Sequence, residues 1–287
     1  MTNFFMSEGD YSNKNKARSR YITARMGEEL ALDCYKKHLD EVKEKYDLDL
    51  EITPKEYNKV GVKVNLNDSR LIEQKQEGLY TIYFHPIGGI LKLDTLKLIL
   101  ECIENVDDVE IRLSMSEGIY IRNLNGNEAI RLLEVTKNLG GETKLDQSSA
   151  CIGVPTCQIG IAESQSLLCD ILEYFNKNGF DKDILPSLRI SGCNNSCGTH
   201  QIGLLGLAGK KKRVNNEVIE VFELHINGKL GKEDTRIGSI IGDIYRDNVP
   251  KFLYELAVRI DEFGITYDKF ISNNIEDFNE IIDKYLV

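Results

Sequence analysis

Positive charge is scarce in this 287-residue sequence: 36 Lys and Arg stand against 46 Asp and Glu, a formal net charge of −10. A surface so short of cations suits a phosphate backbone poorly, so nucleic acid is not expected as the main partner. Long apolar runs are missing as well. None approaches the roughly 20 residues that cross a bilayer, and no membrane span is expected. The first residues, M-T-N-F-F-M-S-E-G-D, lack a basic segment followed by an apolar stretch, so no secretory leader is expected and the protein reads as cytoplasmic. Low-complexity tracts and short repeats are absent too. What remains, 41% hydrophobic and 29% charged residues, describes a globular chain with material for one large domain or two modest ones.

Cysteine is the residue type that carries information. There are seven, an odd count, and in a chain read as cytoplasmic that favours metal ligation over disulfides. Four form two Gly-flanked pairs: Cys151 and Cys157 in A-C-I-G-V-P-T-C-Q, and Cys193 and Cys197 in S-G-C-N-N-S-C-G. Thiolates are soft ligands that select iron–sulfur clusters, zinc or Cu(I), and four of them suit one [4Fe–4S] cluster. The four-residue step from Cys193 to Cys197 would put both sulfurs on one side of a helical turn. The first pair, with Pro155 between its members, reads as a loop closing over the same centre from the opposite side. Two alternatives stay open beside the cluster. Zinc would favour tighter spacing at both ends, and four unrelated core cysteines would rarely fall into two such pairs. Cys34, Cys102 and Cys169 lie in apolar helical patterns and read as buried core residues. His200, three residues after Cys197, reads either as a ligand or proton donor or as a polar residue at the edge of the site. His38, His85 and His225 have no partner visible in the sequence.

The pattern along the chain predicts an α+β protein: a ferredoxin-like half-sheet layer followed by a mixed α/β domain that holds the cysteines. Residues 1–48 read as a helical arm, with a helix over 14–46 broken at Gly27 and a stripe of Leu30, Leu32, Cys34, Tyr35, Leu39 and Val42. Residues 49–145 read as β-α-β-β-α: a strand over Leu79–His85, a helix over Leu93–Ile103, strands over Val109–Leu113 and Ile119–Ile121, and a helix over Asn125–Asn138 closed by Gly140 and Gly141. Such a half-sheet leaves an edge in want of a partner. Residues 146–287 hold a helix over Ala162–Asn178, a strand over Leu188–Ser191 that delivers Arg189 and then the second cysteine pair, and an apolar run over Ile202–Ala208. A strand over Val218–Ile226 is expected to turn at Asn227-Gly228, and helices follow near Val249–Glu262 and Ile275–Tyr285. The run Lys210-Lys211-Lys212-Arg213 reads as a solvated hairpin tip or as a landing site for an anionic cofactor or acidic electron donor. Gly203, Gly206 and Gly209 mark bulges, or leave room for a flat macrocycle against the backbone.

Two stretches resemble the cluster motifs of the sirohaem-dependent sulfite and nitrite reductases: A-C-I-G-V-P-T-C-Q-I-G-I-A-E-S, and S-G-C-N-N-S-C-G-T-H-Q-I-G-L-L-G-L-A-G-K. H-P-I-G-G-I-L-K-L-D-T-L, residues 85–96, is similar to the start of that family's second ferredoxin-like repeat, and N-K-N-K-A-R-S-R-Y, residues 13–21, to the connection between its halves. The resemblance implies a [4Fe–4S] cluster on Cys151, Cys157, Cys193 and Cys197, with Cys197 shared as the axial bridge to sirohaem. Asn195 and Arg189 are the further cofactor-side residues. It also implies a six-electron reduction of sulfite to sulfide or nitrite to ammonia, fed by a ferredoxin-type electron donor. The sequence departs from the family at Asn194, where proline is usual, and in length. The family's chains are about twice as long, and their first half supplies the arginines and lysines that grip the anion. A missing N-terminal half or complementary subunit is therefore expected as a partner. Sirohaem carries eight carboxylates, for which this chain offers Arg189, Arg112, Arg122 and the 210–213 run. A sirohaem-free [4Fe–4S] electron-transfer or structural module is the alternative.

Overall fold

A computed structural model describes residues 1–13, 16–53, 58–232 and 234–287 of the chain. Contacts divide it into two units, Met1–Tyr57 and Asn58–Val287. In the first, a helix that the sequence does not advertise, α1 (Thr2–Glu8), precedes α2 (Ser19–Met26) and α3 (Glu28–Lys43). The expected helix over 14–46 is thus shorter at both ends, and its residues 14 and 15 lie outside the described set. Gly27 does break it, at a φ of +84° that a residue without Cβ adopts readily. The expected stripe needs correction: Leu30 and Leu32 are exposed, and the covered face is Ala31, Cys34, Tyr35, His38, Leu39 and Val42. Cys34 is half-buried beside α1 and is not a core residue.

The second unit opens with β1 (Leu71–Glu73), β2 (Leu79–Phe84), α4 (Leu93–Ile103), β3 (Glu110–Leu113), β4 (Ile119–Asn125) and α5 (Gly126–Val135). Among the described residues these strands form an antiparallel sheet in the order β1-β2-β4-β3. Its core of Ile82, Phe84, Ile121, Ile99, Leu132 and the buried Cys102 lies between the sheet and the two helices. The expected β-α-β-β-α order is present, with β1 added as a short edge strand. α5 starts sharply because Asn125 and Glu128 form a capping box, each side chain bonding the other's backbone N–H. It ends at Thr136, well before Gly140 and Gly141; the left-handed residue after it is Asn138, at a φ of +58°.

The cysteine-bearing part follows: β5 (Ser149–Ala150), α6 (Ser164–Lys177), β6 (Leu188–Ser191), β7 (Leu205–Val214), β8 (Glu217–Ile226), β9 (Ser239–Tyr245), α7 (Val249–Phe263), α8 (Tyr267–Asn273) and α9 (Ile275–Ile282). The strands form a mixed sheet in the order β5-β6-β7-β8-β9, in which β5, β6 and β7 are parallel and the rest antiparallel. α6 and α7 pack on it through Leu167, Leu168, Ile171, Phe252, Leu253 and Leu256.

Three expectations change here. Cys169 is exposed on α6, because at about 100° per residue it sits some 200° from the buried Leu167 and Ile171 that flank it. The tight hairpin is not at Asn227-Gly228 but at Asn215-Asn216, both with positive φ (49° and 68°), joining β7 to β8. From Asn227 the chain makes a longer excursion, closed by the Lys229–Arg236 bridge, before β9. Lys210 to Arg213 therefore lie within β7 and not at a hairpin tip. Gly206 and Gly209 are not bulges either, since β7 pairs without interruption from Leu205 to Val214, and Gly203 lies in the turn before that strand. A Cβ on Gly206 would meet the His200 carbonyl oxygen at 2.0 Å, and one on Gly209 the Ala162 Cβ at 2.3 Å, so the protein's own atoms fill that space.

Candidate metal centre

Parallel pairing of β5 with β6 sets the C-terminal ends of two neighbouring strands side by side, Ser149 against Arg189 and Ala150 against Ile190. Cys151 follows β5 directly and Cys193 follows β6 by two residues. One sheet edge thus receives both cysteine pairs, as ligand sites commonly do at the carboxyl ends of parallel strands. The Cys151 N–H donates to the Ile190 carbonyl at 3.0 Å. The first loop then folds back, with the Ile161 and Ala162 N–H groups donating to the Gly192 carbonyl at 3.0 and 2.9 Å. Cys151, Cys157, Cys193 and Cys197 consequently line one cavity of about 80 Å³, with Gly153, Gly160, Gly192 and Asn195 between them and Ile152 and Ile159 at its side.

The stretch from Cys193 to Cys197 is not a helical turn, as expected, but a series of turns in which Ser196 and Thr199 have φ of +59° and +55°. Gly192, two asparagines, a serine and Gly198 are weak helix formers that accept such backbone readily. The four cysteines differ in access: Cys193 is buried, Cys151 and Cys157 are half-buried, and Cys197 is exposed. Cys151 Sγ accepts from the Gly192 N–H at 3.0 Å and lies 3.3 Å from Ser164 Oγ, whose hydroxyl donates to the Cys151 carbonyl at 2.6 Å.

The spacing of the sulfurs discriminates between ligands. Tetrahedral zinc with Zn–S bonds of about 2.3 Å holds its thiolates about 3.8 Å apart. Among the described residues no three of these four sulfurs come within 4.8 Å of one another. The donor set is soft, fourfold and spread round a cavity, and it suits an inorganic core larger than a single ion.

Behind the second loop lies a buried polar chain. Ser191 Oγ accepts from the Gly198 N–H at 3.1 Å and lies 2.9 Å from His200 Nδ1; the His200 and His225 rings meet at a tilt of 58° with centroids 4.7 Å apart; His225 Nε2 is 3.0 Å from Glu223 Oε1. His200 is not among the residues lining the cysteine cavity and lies behind the second loop, a position that matches the reading of a polar residue at the edge of the site. Burial, reinforced by the charges of His225 and Lys210 and opposed by Glu223, pulls its pKa down to about 4. Arg189, half-buried on β6, donates to the Thr199 hydroxyl at 2.9 Å and lies outside the cavity, whereas Asn195 is part of its wall.

Several residues with no sequence signal complete the surroundings. Gln165 donates from Nε2 to the Gly88 and Ala150 carbonyls at 2.7 and 2.5 Å, tying the 85–96 stretch to the strand that precedes Cys151. Ser149 Oγ donates to the Ser116 carbonyl at 3.0 Å, and His85 Nε2 lies 2.7 Å from the same oxygen. Burial raises the Glu117 carboxyl against the opposing Ala150 N–H and the Arg189 charge, and it lowers the His85 imidazole. Each is a single polar residue made important by a long-range contact, which spacing along a chain does not encode.

The cations offered for sirohaem carboxylates are largely engaged within the chain. Arg112 and Arg122 both pair with Glu110, at 2.8 and 2.9 Å. Lys210 pairs with Glu223 and Asp243, and Lys212 with Asp243. Lys211 and Arg213 are the exposed members of the run. The cysteines of this chain fit a cluster, whereas four of the seven cations named for an octacarboxylate ring are already paired with carboxylates.

Comparison with known proteins gives a consistent picture. Residues 72–139 match the nitrite/sulfite reductase ferredoxin-like half domain. The putative sulfite reductase (NADPH) hemoprotein beta-component of Buchnera aphidicola subsp. Schizaphis graminum is 28% identical over 267 residues, 88% of this chain and 42% of the relative. The corresponding beta-components of Bacillus subtilis and Neisseria meningitidis serogroup C are 26% and 24% identical, over 89% and 94% of this chain and 43% and 44% of theirs. In fold the chain is similar to the Mycobacterium tuberculosis NirA protein, with a TM-score of 0.62 at 20% identity over 85% of this chain and 45% of that one. The chain spans less than half the length of these relatives.

Proposed function

We propose that this chain, which belongs to the sirohaem-dependent sulfite and nitrite reductase family, is the half of such an oxidoreductase that carries its [4Fe–4S] cluster. The observation that carries this reading is the convergence of Cys151, Cys157, Cys193 and Cys197 on one cavity at the ends of β5 and β6. In this reading residues 1–48 are the connecting arm, 49–145 the ferredoxin-like half domain and 146–287 the cluster and sirohaem domain.

When bound, the cluster and sirohaem together supply single electrons to an anion held at the haem iron, six in all for sulfite to sulfide or nitrite to ammonia. The chain's own residues perform narrower tasks. The Gly192 N–H stabilises negative charge on Cys151 Sγ, which favours the reduced cluster, while the Ser164 hydroxyl fixes the Cys151 backbone by donating to its carbonyl. Cys193 is shielded from water, whereas Cys197 is exposed, and its thiolate would be the one to join the cluster to a bound sirohaem and pass electrons between them. Asn195 in the cavity wall and Arg189 on β6, which donates to Thr199 just beyond Cys197, would be the residues on the cofactor side. Lys211 and Arg213, unlike Lys210 and Lys212, project from β7 and remain for a ferredoxin-type donor.

Arg112, Arg122, Lys210 and Lys212 are already paired with carboxylates, so the haem's acid groups and the substrate anion need cations from elsewhere. An N-terminal half or complementary subunit is the source, and the assembled reductase works in the cytoplasm. The alternative, a sirohaem-free cluster module, draws on that same shortage of free cations. The visible spectrum of the anaerobically reconstituted chain, with sirohaem and with or without a complementary half, separates the two. Haem bands coupled to the cluster only when the partner is present support the half-reductase. An iron–sulfur absorbance that never acquires haem features with either preparation overturns it.

A further inference from the structure

In the Met1–Tyr57 unit, three side chains of metal-binding type converge where no sequence motif announces them. Among the described residues, Glu8, Cys34 and His38 are the one group of three or more such side chains whose ligand atoms lie within 4.8 Å of one another. Cys34 and His38 are four apart on α3, so one turn stacks them on the same face. Glu8 closes α1. Phe4 of α1 packs edge-on against Tyr35 and His38, with ring centroids 5.8 and 6.1 Å apart, which holds that helix over the pair. All three side chains are half-buried, sheltered enough to be ordered and open enough for an ion to enter.

The donors specify the ion. A thiolate, a neutral imidazole and a carboxylate sum to two negative charges, matched by one divalent cation. Sulfur and nitrogen donors disfavour magnesium and calcium, and a mixed S, N and O set with a fourth position left to water is a zinc arrangement. Glu41 Oε2 lies 3.6 Å from His38 Nδ1, a second carboxylate beside the imidazole. Arg25 is the competitor: its Nη2 lies 3.6 Å from Glu8 Oε2 and donates to the Glu8 backbone carbonyl at 2.7 Å. We propose that Glu8, Cys34 and His38 form a zinc site that ties α1 to α3, separate in residues from the cluster cysteines and independent of the reductase reading.

The test titrates zinc into the full chain carrying its reconstituted iron–sulfur cluster, with zinc and iron both counted after desalting. One bound zinc per chain is expected. It is lost in Cys34→Ser and in His38→Gln, with iron content and far-ultraviolet circular dichroism unchanged. Arg25→Gln frees Glu8 and is expected to tighten zinc binding by about two- to fivefold, the reverse of what damage to the fold would do. A cluster-loaded chain that takes up no zinc overturns the proposal. So does zinc retained by either Cys34→Ser or His38→Gln, and zinc affinity unmoved by Arg25→Gln removes Glu8 from the set. Failure of the cluster reading would appear separately, as missing iron.

Discussion

Cys169 and Cys197 are both exposed cysteines, yet the account gives them opposite weight. Cys197 shares a cavity with three other thiols, whereas Cys169 stands on the outer face of α6. Cys169→Ala is therefore expected to leave iron content unchanged and stability within about 0.5 kcal/mol, the usual range for surface substitutions. Cys197→Ser is expected to abolish both cluster assembly and coupling to sirohaem; intact iron in that variant would remove it from the ligand set. His200 yields a prediction of a different kind. Its folded pKa of about 4 lies below the ordinary value of 6.5. Above pH 6.5 the ring is neutral folded or unfolded and imposes no penalty. As pH falls from 6.5 toward 4, the unfolded chain binds a proton that the folded protein refuses, so stability drops through that window by on the order of 3 kcal/mol. Urea denaturation across pH should show this slope, and His200→Gln should flatten it. At this scale the cysteine pairs were legible because ligand spacing is local chemistry. Cys169 and Cys34 were not, because one step of helical phase decides whether a residue points inward.

The element that positions the site is the parallel run β5-β6-β7, and its tightest contacts are backbone against backbone. Gly206 on β7 approaches the His200 carbonyl so closely that an added Cβ would sit 2.0 Å away. Gly206→Ala is expected to destabilise the protein by about 1–3 kcal/mol and to loosen the second cysteine loop, read out as a lower urea midpoint and faster release of cluster iron. An unchanged midpoint would mean that the β6–β7 packing does not hold the loop. Long, strongly patterned elements such as α4, α6, α7 and β8 were legible in the sequence from their periodicity. β5 was not, since two residues carry no alternation, and α1 and α8, of seven residues each, are too short to show a stripe. The hairpin was assigned to Asn227-Gly228 on a strong local preference. The pairing of β7 with β8 over ten residues instead fixed the tight turn at Asn215-Asn216.

Across the whole molecule, the two cysteine pairs are 36 residues apart from Cys157 to Cys193 and meet only because β5 and β6 are adjacent in the sheet. That adjacency, like the Gln165 clamp to Gly88 and Ala150, is a long-range contact that no local pattern encodes. The α+β class and the ferredoxin-like layer were legible, because β-α-β-β-α order is written in successive periodicities. The neutralised Arg122, Lys210 and Lys212 were not, since the carboxylates that pair them come from other strands. In the proposed reading, this chain supplies a cluster site and a second half supplies positive charge. Its central claim is the ligand set, and the direct measurement is iron and acid-labile sulfide per chain after anaerobic reconstitution, in the wild type and in Cys151→Ser, Cys157→Ser, Cys193→Ser and Cys197→Ser. The account predicts about four of each in the wild type, as one [4Fe–4S] cluster requires, and collapse in every variant. Full iron retained in any of the four, or a colourless protein holding zinc in the cavity, would contradict it.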